Sequence, residues 1–282
     1  MIVHLVDGTY ELFRHFYGQR RFNKGNDAPF GAVIGVLNTI LQMIETGATH
    51  VGVATDHIIE SFRNDLWPGY KTGAGIERAL RAQFTPLEEA LEAMGVVVWA
   101  MVELEADDAL ASAAHLASRD ARVQKICIWT SDKDLSQCVS GDRVVQVDRK
   151  SGKIRDQQGV LEKFGVPPAS IPDYLALVGD SADGYPGIRG FGPKTAAEVI
   201  SRFAHIEDMP ENVLKDQREL ALLFKTLATL NVDAQLFADV DELRWDGPTP
   251  AFPAYAEKMG DTRLVKRAEK ALALVRARET IA

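Results

Sequence analysis

Four short apolar runs in this 282-residue chain lead into carboxylates, and that recurrence limits what the chain can fold into. Ile2 to Val6 ends at Asp7-Gly8, and Val51 to Ala54 ends near Asp56. Val96 to Ala100 leads to Glu103-Leu104-Glu105-Ala106-Asp107-Asp108, and Ile126 to Trp129 ends in Thr130-Ser131-Asp132-Lys133-Asp134. Such runs read as buried strands. Amphipathic helical patterns lie between them: Leu12, Phe13 and Phe16 inward with Arg14 outward, then residues 30–44, 77–94 and the stretch from Ala106 through Leu110, Ala113 and Ala117. Strands alternating with helices predict an α/β fold with a mostly parallel central sheet flanked by helices, to which Val144 to Val147 adds a strand. The carboxyl ends of parallel strands share one edge, where α/β proteins place their sites. Asp7, Asp56, Glu105, Asp107, Asp108, Asp132 and Asp134 are therefore expected to converge.

Acids in a first helical turn are ordinary, because the free N–H groups there favour negative charge. One acid would satisfy that need, whereas several at equivalent strand ends repel and require a counter-charge. The set contains no His or Cys at these positions, only oxygen donors, which suits Mg²⁺ or Mn²⁺ better than zinc. Two such ions about 4 Å apart activate water and stabilise a leaving oxygen in phosphoryl transfer. Crowding also implies that a divalent ion raises the melting temperature and that Asp108→Asn stabilises the metal-free chain.

Net charge of −8 and a pI near 5.3 argue against a uniformly basic nucleic-acid binder, so any such surface must be local. Arg20, Arg21 and Lys24 form a basic loop with Phe22 and Asn26. Arg63, Tyr70, Lys71, Arg78 and Arg81 put cations and an aromatic ring between two acidic strand ends, as nucleic-acid contact requires. Two cysteines are too few for a disulfide scaffold or a zinc site, which fits a reducing cytoplasm. The N-terminus lacks a basic, cleavable leader and no run is long enough to span a bilayer, so no membrane partner is expected. The six histidines show no ligand spacing.

Past Val166 helices dominate, and Pro167-Pro168 marks a boundary. Tyr174 to Val178 runs into Gly179-Asp180-Ser181-Ala182-Asp183. Gly187-Ile188-Arg189-Gly190-Phe191-Gly192-Pro193-Lys194-Thr195 looks like a phosphate loop, but Pro193 interrupts it and a helix, not a strand, precedes it. A nucleotide cofactor is therefore not expected. The segment reads instead as a hairpin between helices whose glycine N–H groups, with Lys194 and Thr195, suit a DNA-backbone clamp. Further helices are predicted near 217–230 and 263–282, the latter with its bases as a solvated face.

Taken in order, Asp7-Gly8, Asp56, Tyr70-Lys71, Glu105-Ala106-Asp107-Asp108, Ser131-Asp132-Lys133-Asp134, Gly179-Asp180-Ser181-Ala182-Asp183 and Gly190-Phe191-Gly192-Pro193-Lys194-Thr195-Ala196 resemble the 5′ nuclease family of bacterial 5′→3′ exonucleases and flap endonucleases. The resemblance runs to about residue 245, through Leu227-Ala228-Thr229-Leu230. It implies a PIN-like, resolvase-like catalytic domain over 1–165 with a helical arch about 63–94. A helix–three-turn–helix DNA-binding domain over 166–245 and a tail over 246–282 would follow. Asp7, Asp56, Glu105, Asp107 and Asp108 look like a first metal group, and Asp132, Asp134, Asp180 and Asp183 like a second. Lys71 is similar to the lysine that meets the scissile phosphate, with Arg14, Arg63 and Tyr70 near it. Gly187, Gly190, Gly192, Lys194 and Thr195 would bind DNA, with K⁺ in the hairpin, and Arg78 and Arg81 would add phosphate contacts. The chain departs from the pattern twice: Thr72 to Gly75 replaces the arginine expected after Tyr-Lys, and Asp183-Gly184-Tyr185 replaces Asp-Asn followed by an aliphatic residue.

The function implied is a metal-dependent, monomeric, stand-alone nuclease acting on DNA with a 5′ end, nick or flap. A catalytically weak DNA-structure binder and a metal-dependent ribonuclease of related fold are the rivals.

Overall fold

The computed structural model describes residues 1–23 and 28–281, and the side chains of residues 20–23, 279 and 281 are not described. The expected basic loop, with Lys24 and Asn26 and the side chains of Arg20, Arg21 and Phe22, therefore lies outside the described residues. The chain opens with β1 (Ile2–Asp7), α1 (Gly8–Asn23), α2 (Gly31–Glu45) and β2 (His50–Asp56). There follow α3 (Arg63–Leu66), α4 (Arg78–Arg81), α5 (Phe84–Ala93), β3 (Val97–Met101), α6 (Ala106–Ser118) and β4 (Lys125–Trp129). Next come β5 (Val144–Asp148), β6 (Lys153–Arg155), α7 (Gln157–Phe164), α8 (Ile171–Val178) and α9 (Pro193–Phe203). The last elements are α10 (Glu211–Leu214), α11 (Arg218–Ala228), α12 (Phe252–Met259) and α13 (Arg263–Ile281).

The sheet order is β3-β2-β1-β4-β5-β6, parallel except for the antiparallel β5–β6 pair. The chain builds outward from β1 to β3, then returns through α6 to place β4 on the other side of β1. The carboxyl ends of β1 and β4 thus form the switch point, the crevice where such sheets bind ligands. Alternation along β1 sends Val3 and Leu5 into the core beneath α6 and Val6 into the core beneath α1 and α2. Burial on both faces explains why the strands read as continuous apolar runs. Lys153-Ile154-Arg155 carries no such run, because β6 is an edge with exposed residues at 153 and 154, and periodicity could not find it.

The stretch expected as one helix over 77–94 is two, broken at Ala82-Gln83. The break has a use. Gln83 is buried, and its Oε1 accepts the N–H groups of Ala32 at 3.1 Å and Val33 at 3.3 Å. These are first-turn donors of α2, whose preceding residue, Phe30, provides no side-chain cap.

The third core is helical and joins α7, α8, α9 and α11 through Val160, Leu175, Ile200, Phe224 and Leu227. The tail returns to the first core. Trp245 is 1% exposed and donates its indole N–H to Met94 O at 2.8 Å. Leu264, Ala268, Ala271 and Val275 of α13 are buried in the core they share with α2. The bases of α13 are not all a solvated face: Arg267 binds both carboxylate oxygens of Glu45 at 2.9 and 2.7 Å, and Arg278 donates to the Ile44 and Glu45 carbonyls.

Because α13 completes a core rather than decorating it, Leu264→Ala should destabilise the chain by about 2–5 kcal/mol. Urea unfolding followed by circular dichroism would read this as a lower midpoint at unchanged slope.

Candidate metal centre

Asp7 closes β1 at the switch point. Its Oδ1 accepts the Tyr10 N–H at 2.8 Å, and its Oδ2 accepts the Thr130 hydroxyl at 2.9 Å. Asp56 closes β2, and its Oδ1 takes the Ala106 N–H at 2.8 Å, which ties that strand end to the start of α6. Asp132, Asp134, Asp180 and Asp183 come from the loop after β4 and the turn after α8. Asp7, Asp107, Asp132 and Asp134 lie close enough for their charges to act on one another, and the helical region supplies two more acids, Asp180 and Asp183.

Asp134, Asp180 and Asp183 form the tightest group: they are buried, and one oxygen from each lies within 4.8 Å of the others. Asp134 Oδ1 is buried and has no hydrogen-bond partner among the described residues. An orphaned buried carboxylate oxygen facing two more carboxylates is the donor set of a hard divalent cation. Lys133 pairs with Asp180 and offsets part of the charge.

The remaining acids crowd one another. Burial, followed by the charges of Asp132 and Asp7, lifts the Asp107 carboxyl well above its usual range. Burial with the charges of Asp132, Asp183 and Asp180 does the same to Asp134. The Asp7 carboxyl is pushed up to about 7 by burial and by Asp56 and Asp132, against the Tyr10 N–H and the Thr130 hydroxyl. Burial raises Asp56 as well, against the pull of Lys71. Raised carboxyls at one strand edge mark a place where positive charge is missing.

Asp108 and Glu105 already share a buried arginine. Arg63 is 0% exposed, and its guanidinium grips Asp108 through two parallel bonds of 2.7 and 2.8 Å. It also reaches Glu105 Oε1 at 3.2 Å, Leu227 O at 2.8 Å and Thr229 O at 3.0 Å. Asp108 further accepts the Glu105 and Asn231 N–H groups at 3.0 and 2.8 Å, so both its oxygens are taken. The structure thus places Arg63 and Asp108 inside the fold, joined to each other, rather than on the crevice. Glu105 receives the Ser61 hydroxyl at 2.6 Å, Lys71 Nζ at 2.8 Å and, at 3.4 Å, the Tyr70 hydroxyl. Burial acts to raise the Glu105 carboxyl, but Lys71 and Arg63 outweigh it and hold it below the usual range.

Lys71 sits between the two halves of the cluster, 2.8 Å from Glu105 and 3.0 Å from Asp183. The Gly184 departure explains how it is held. Gly184 adopts φ +84°, and a Cβ there would stand 2.0 Å from Gly69 O. Its absence lets the 67–71 segment lie against the turn, where Lys71 N–H donates to Asp183 O at 2.9 Å and the Trp67 indole to Gly184 O at 3.1 Å.

The glycine hairpin between α8 and α9 divides by role. A Cβ on Gly187 (φ +72°) would lie 2.4 Å from Gly179 N, so this glycine lets the two ends of the turn touch. Gly190, Gly192, Lys194 and Thr195 are exposed around the start of α9 and remain open to a ligand. Arg78 and Arg81 are exposed on α4, away from the carboxylates, with Arg81 beside Glu60. Arg14 is not brought to the centre: it pairs with Glu11 and His15 and lines a separate cavity. Sequence reasoning missed Ser61, Thr130 and Lys133 as partners of Glu105, Asp7 and Asp180. Only Lys133 carried a signal, from its place between two of the acids.

These contacts reverse the expectation for Asp108. Asp108→Asn removes the partner of a fully buried arginine and should cost about 3 kcal/mol in metal-free buffer. Asp134→Asn, which relieves repulsion, should raise the melting temperature there. The folded chain holds protons on Asp7, Asp107 and Asp134 more tightly than the unfolded chain does. Metal-free stability should therefore fall as pH rises from about 4 through about 7, and a divalent ion should restore it at the upper end. Melting curves in EDTA and in excess Mg²⁺ across that range check all three outcomes.

Comparison with known proteins agrees with this fold. Residues 2–165 match the family model described as the 5′-3′ exonuclease N-terminal resolvase-like domain, and residues 166–251 match the 5′-3′ exonuclease C-terminal SAM fold. The 5′-3′ exonuclease of Aquifex aeolicus is 30% identical over 242 residues, covering 85% of this chain and 83% of that protein. DNA polymerase I of Pseudomonas aeruginosa is 33% identical over 259 residues, covering 85% of this chain but 28% of the polymerase, so the chain spans about a quarter of that relative's length. Among solved structures, the bacteriophage T5 D15 protein co-crystallised with metal ions aligns with a TM-score of 0.64 at 19% identity, over 97% of this chain and 99% of that one. The catalytic core of Rad2 with a DNA substrate aligns at 0.59 and 15% identity, over 97% and 91%. With a resolvase-like sheet carrying the carboxylates and a SAM-fold helical region completing them, the chain belongs to the 5′-3′ exonuclease family.

Proposed function

We propose that the protein is a Mg²⁺- or Mn²⁺-dependent 5′→3′ exonuclease and flap endonuclease that hydrolyses DNA at 5′ ends, nicks or flaps in replication or repair. The observation that carries the reading is the buried Asp134, Asp180 and Asp183 group with its unpaired oxygen. These three with Asp132 would hold one ion, and Asp7, Asp56, Glu105 and Asp107 would surround a second, with Asp108 fixing Glu105 from behind. When bound, the ions would lower the pKa of water and offset charge on the leaving oxygen.

The chain's own residues supply the rest. Lys71 bridges Glu105 and Asp183 and carries the positive charge nearest both groups, so an entering phosphate can exchange for either carboxylate at its ammonium. Tyr70, held 4% exposed, fixes the backbone from which Lys71 projects. Arg63 is a positioning residue for Glu105 and has no exposed atom to offer a phosphate. Residues 1–165 would act as the catalytic unit, and residues 166–245 as the DNA clamp. In the clamp, the N–H groups around Gly190 and Gly192, with Lys194 and Thr195, would hold a backbone phosphate, and K⁺ bound at the hairpin would add positive charge there. Arg78 and Arg81 would meet phosphates along the 63–94 segment. In place of the arginine missing after Lys71, Arg81 stands beside this stretch, its guanidinium within 4 Å of where a Cβ on Gly73 would lie, so Arg81 would be the cation that meets a 5′ end there.

Cleavage of 5′-labelled nicked, blunt and flap duplexes in Mg²⁺ tests this reading. Lys71→Ala should lower kcat by about 10²-fold with little change in KM. Asp134→Asn should abolish cleavage while leaving a gel shift in EDTA intact. Binding without cleavage by the unmodified chain in either ion would favour a DNA-structure binder, and cleavage confined to RNA a ribonuclease.

A further inference from the structure

A cavity of about 1100 Å³ lies between α1, α2, α13 and the sheet, on the face of β1 and β4 that carries His4 and Trp129. None of the metal-centre carboxylates lines it. Four cations do: Arg14 from α1, Arg149 and Lys150 from the turn after β5, and Arg267 from α13. Three acids answer them. Glu11 pairs with Arg14 and stands 3.9 Å from Arg149, and Glu45 pairs with Arg267 at 2.7 Å. The third, Asp148, accepts the Lys150 N–H at 2.9 Å, so the lining keeps an excess of one positive charge in a chain whose net charge is −8. Burial and the charges of Arg14 and Arg149 push His15 down to about 4, a mark of the positive field in the cavity.

One wall is aromatic. Trp129 is half-buried, its indole N–H donates to His4 Nδ1 at 3.0 Å, and the two ring centroids are 5.9 Å apart. That bond fixes the indole plane, so Trp129 offers a preset surface for stacking. The cavity is at the upper end of the range for small-molecule sites, and such sites combine an apolar platform with a few convergent polar groups. A phosphate matches the sign of the charge excess, and a flat heterocycle matches the wall.

We propose that this cavity binds a nucleoside monophosphate, with the phosphate on Arg149 and Lys150 and the base against Trp129. It is a second site, separate from the metal centre, and its ligand is of the class that a 5′→3′ exonuclease releases. Arg149 is held toward the cavity by a bond to Gln42 Oε1 at 2.9 Å, while Lys150 is exposed and its backbone N–H donates to Asp148 Oδ1 at 2.9 Å. Phosphate enters without breaking the Arg267–Glu45 pair that anchors α13.

The test is calorimetric titration of the full chain with deoxyadenosine 5′-monophosphate in EDTA, with tryptophan fluorescence read in parallel. Saturable one-site binding is expected, together with quenching that Trp129→Phe removes. The double variant Arg149→Gln/Lys150→Gln should weaken binding by about tenfold or more, and deoxyadenosine without its phosphate by a similar factor. Should the double variant melt early, Lys150→Glu alone keeps the test, since that side chain is exposed and its reversal must still weaken binding. No saturable heat with the unmodified chain, or unchanged affinity in these variants, would overturn the proposal. Cleavage in Mg²⁺ by the double variant is expected within about twofold of the unmodified chain. Loss of cleavage together with binding would make the cavity part of the DNA path and overturn its independence. The binding arm needs no metal and the cleavage arm does, so failure of the second site and failure of the nuclease reading are distinguishable.

Discussion

A guanidinium with no exposed surface holds this structure together. Arg63 uses its donors on Asp108, Glu105 and the carbonyls of Leu227 and Thr229, which joins the start of α6 to the end of α11. A buried cation is costly unless it is paired and fully hydrogen-bonded, and here it is both. Gln137 reinforces the same junction, accepting the Leu230 N–H and donating to Ala228 O. The Leu227-Ala228-Thr229-Leu230 strip is thus a set of backbone anchors. Its function is to hold the helical region, and the two aspartates that region brings, against the edge of the sheet.

With that junction fixed, the opposing charges sort themselves. Acids that point inward along α6 meet Arg63 and are neutralised by protein, whereas acids that point into the crevice outnumber the two lysines, Lys71 and Lys133, that face them. The fold consequently stores repulsion where a cation is to enter and none where it would only weaken the core. Such a division follows from helical geometry, since Asp107 and Asp108 are neighbours in sequence but face different directions.

Much of this was legible in the sequence. Five of the six strands carried apolar runs because helices bury both faces of the sheet, and the convergence of the acids followed from parallel strands ending on one edge. The roles of Arg63 and Asp108 were not legible, because an arginine near acids reads the same whether it faces a phosphate or a buried carboxylate. Arg14 misled for the same reason, its partner being Glu11 in its own helix. The docking of α13 was hidden because bases on a helix look solvated until Glu45, which lies 222 residues from Arg267, is known to face them. Long-range pairs leave no trace in local periodicity.

The buried amide of Gln83 has a consequence for how the chain assembles. The opening turn of α2 is completed by a residue made 50 positions later than Val33. As the chain emerges, α2 has its apolar stripe but lacks acceptors for its first donors until α5 arrives. The segment from β2 to α5 is therefore closed into a loop by the same event that finishes α2. Helix and loop mature together, and a chain halted short of Gln83 would carry a frayed α2 over a half-built sheet.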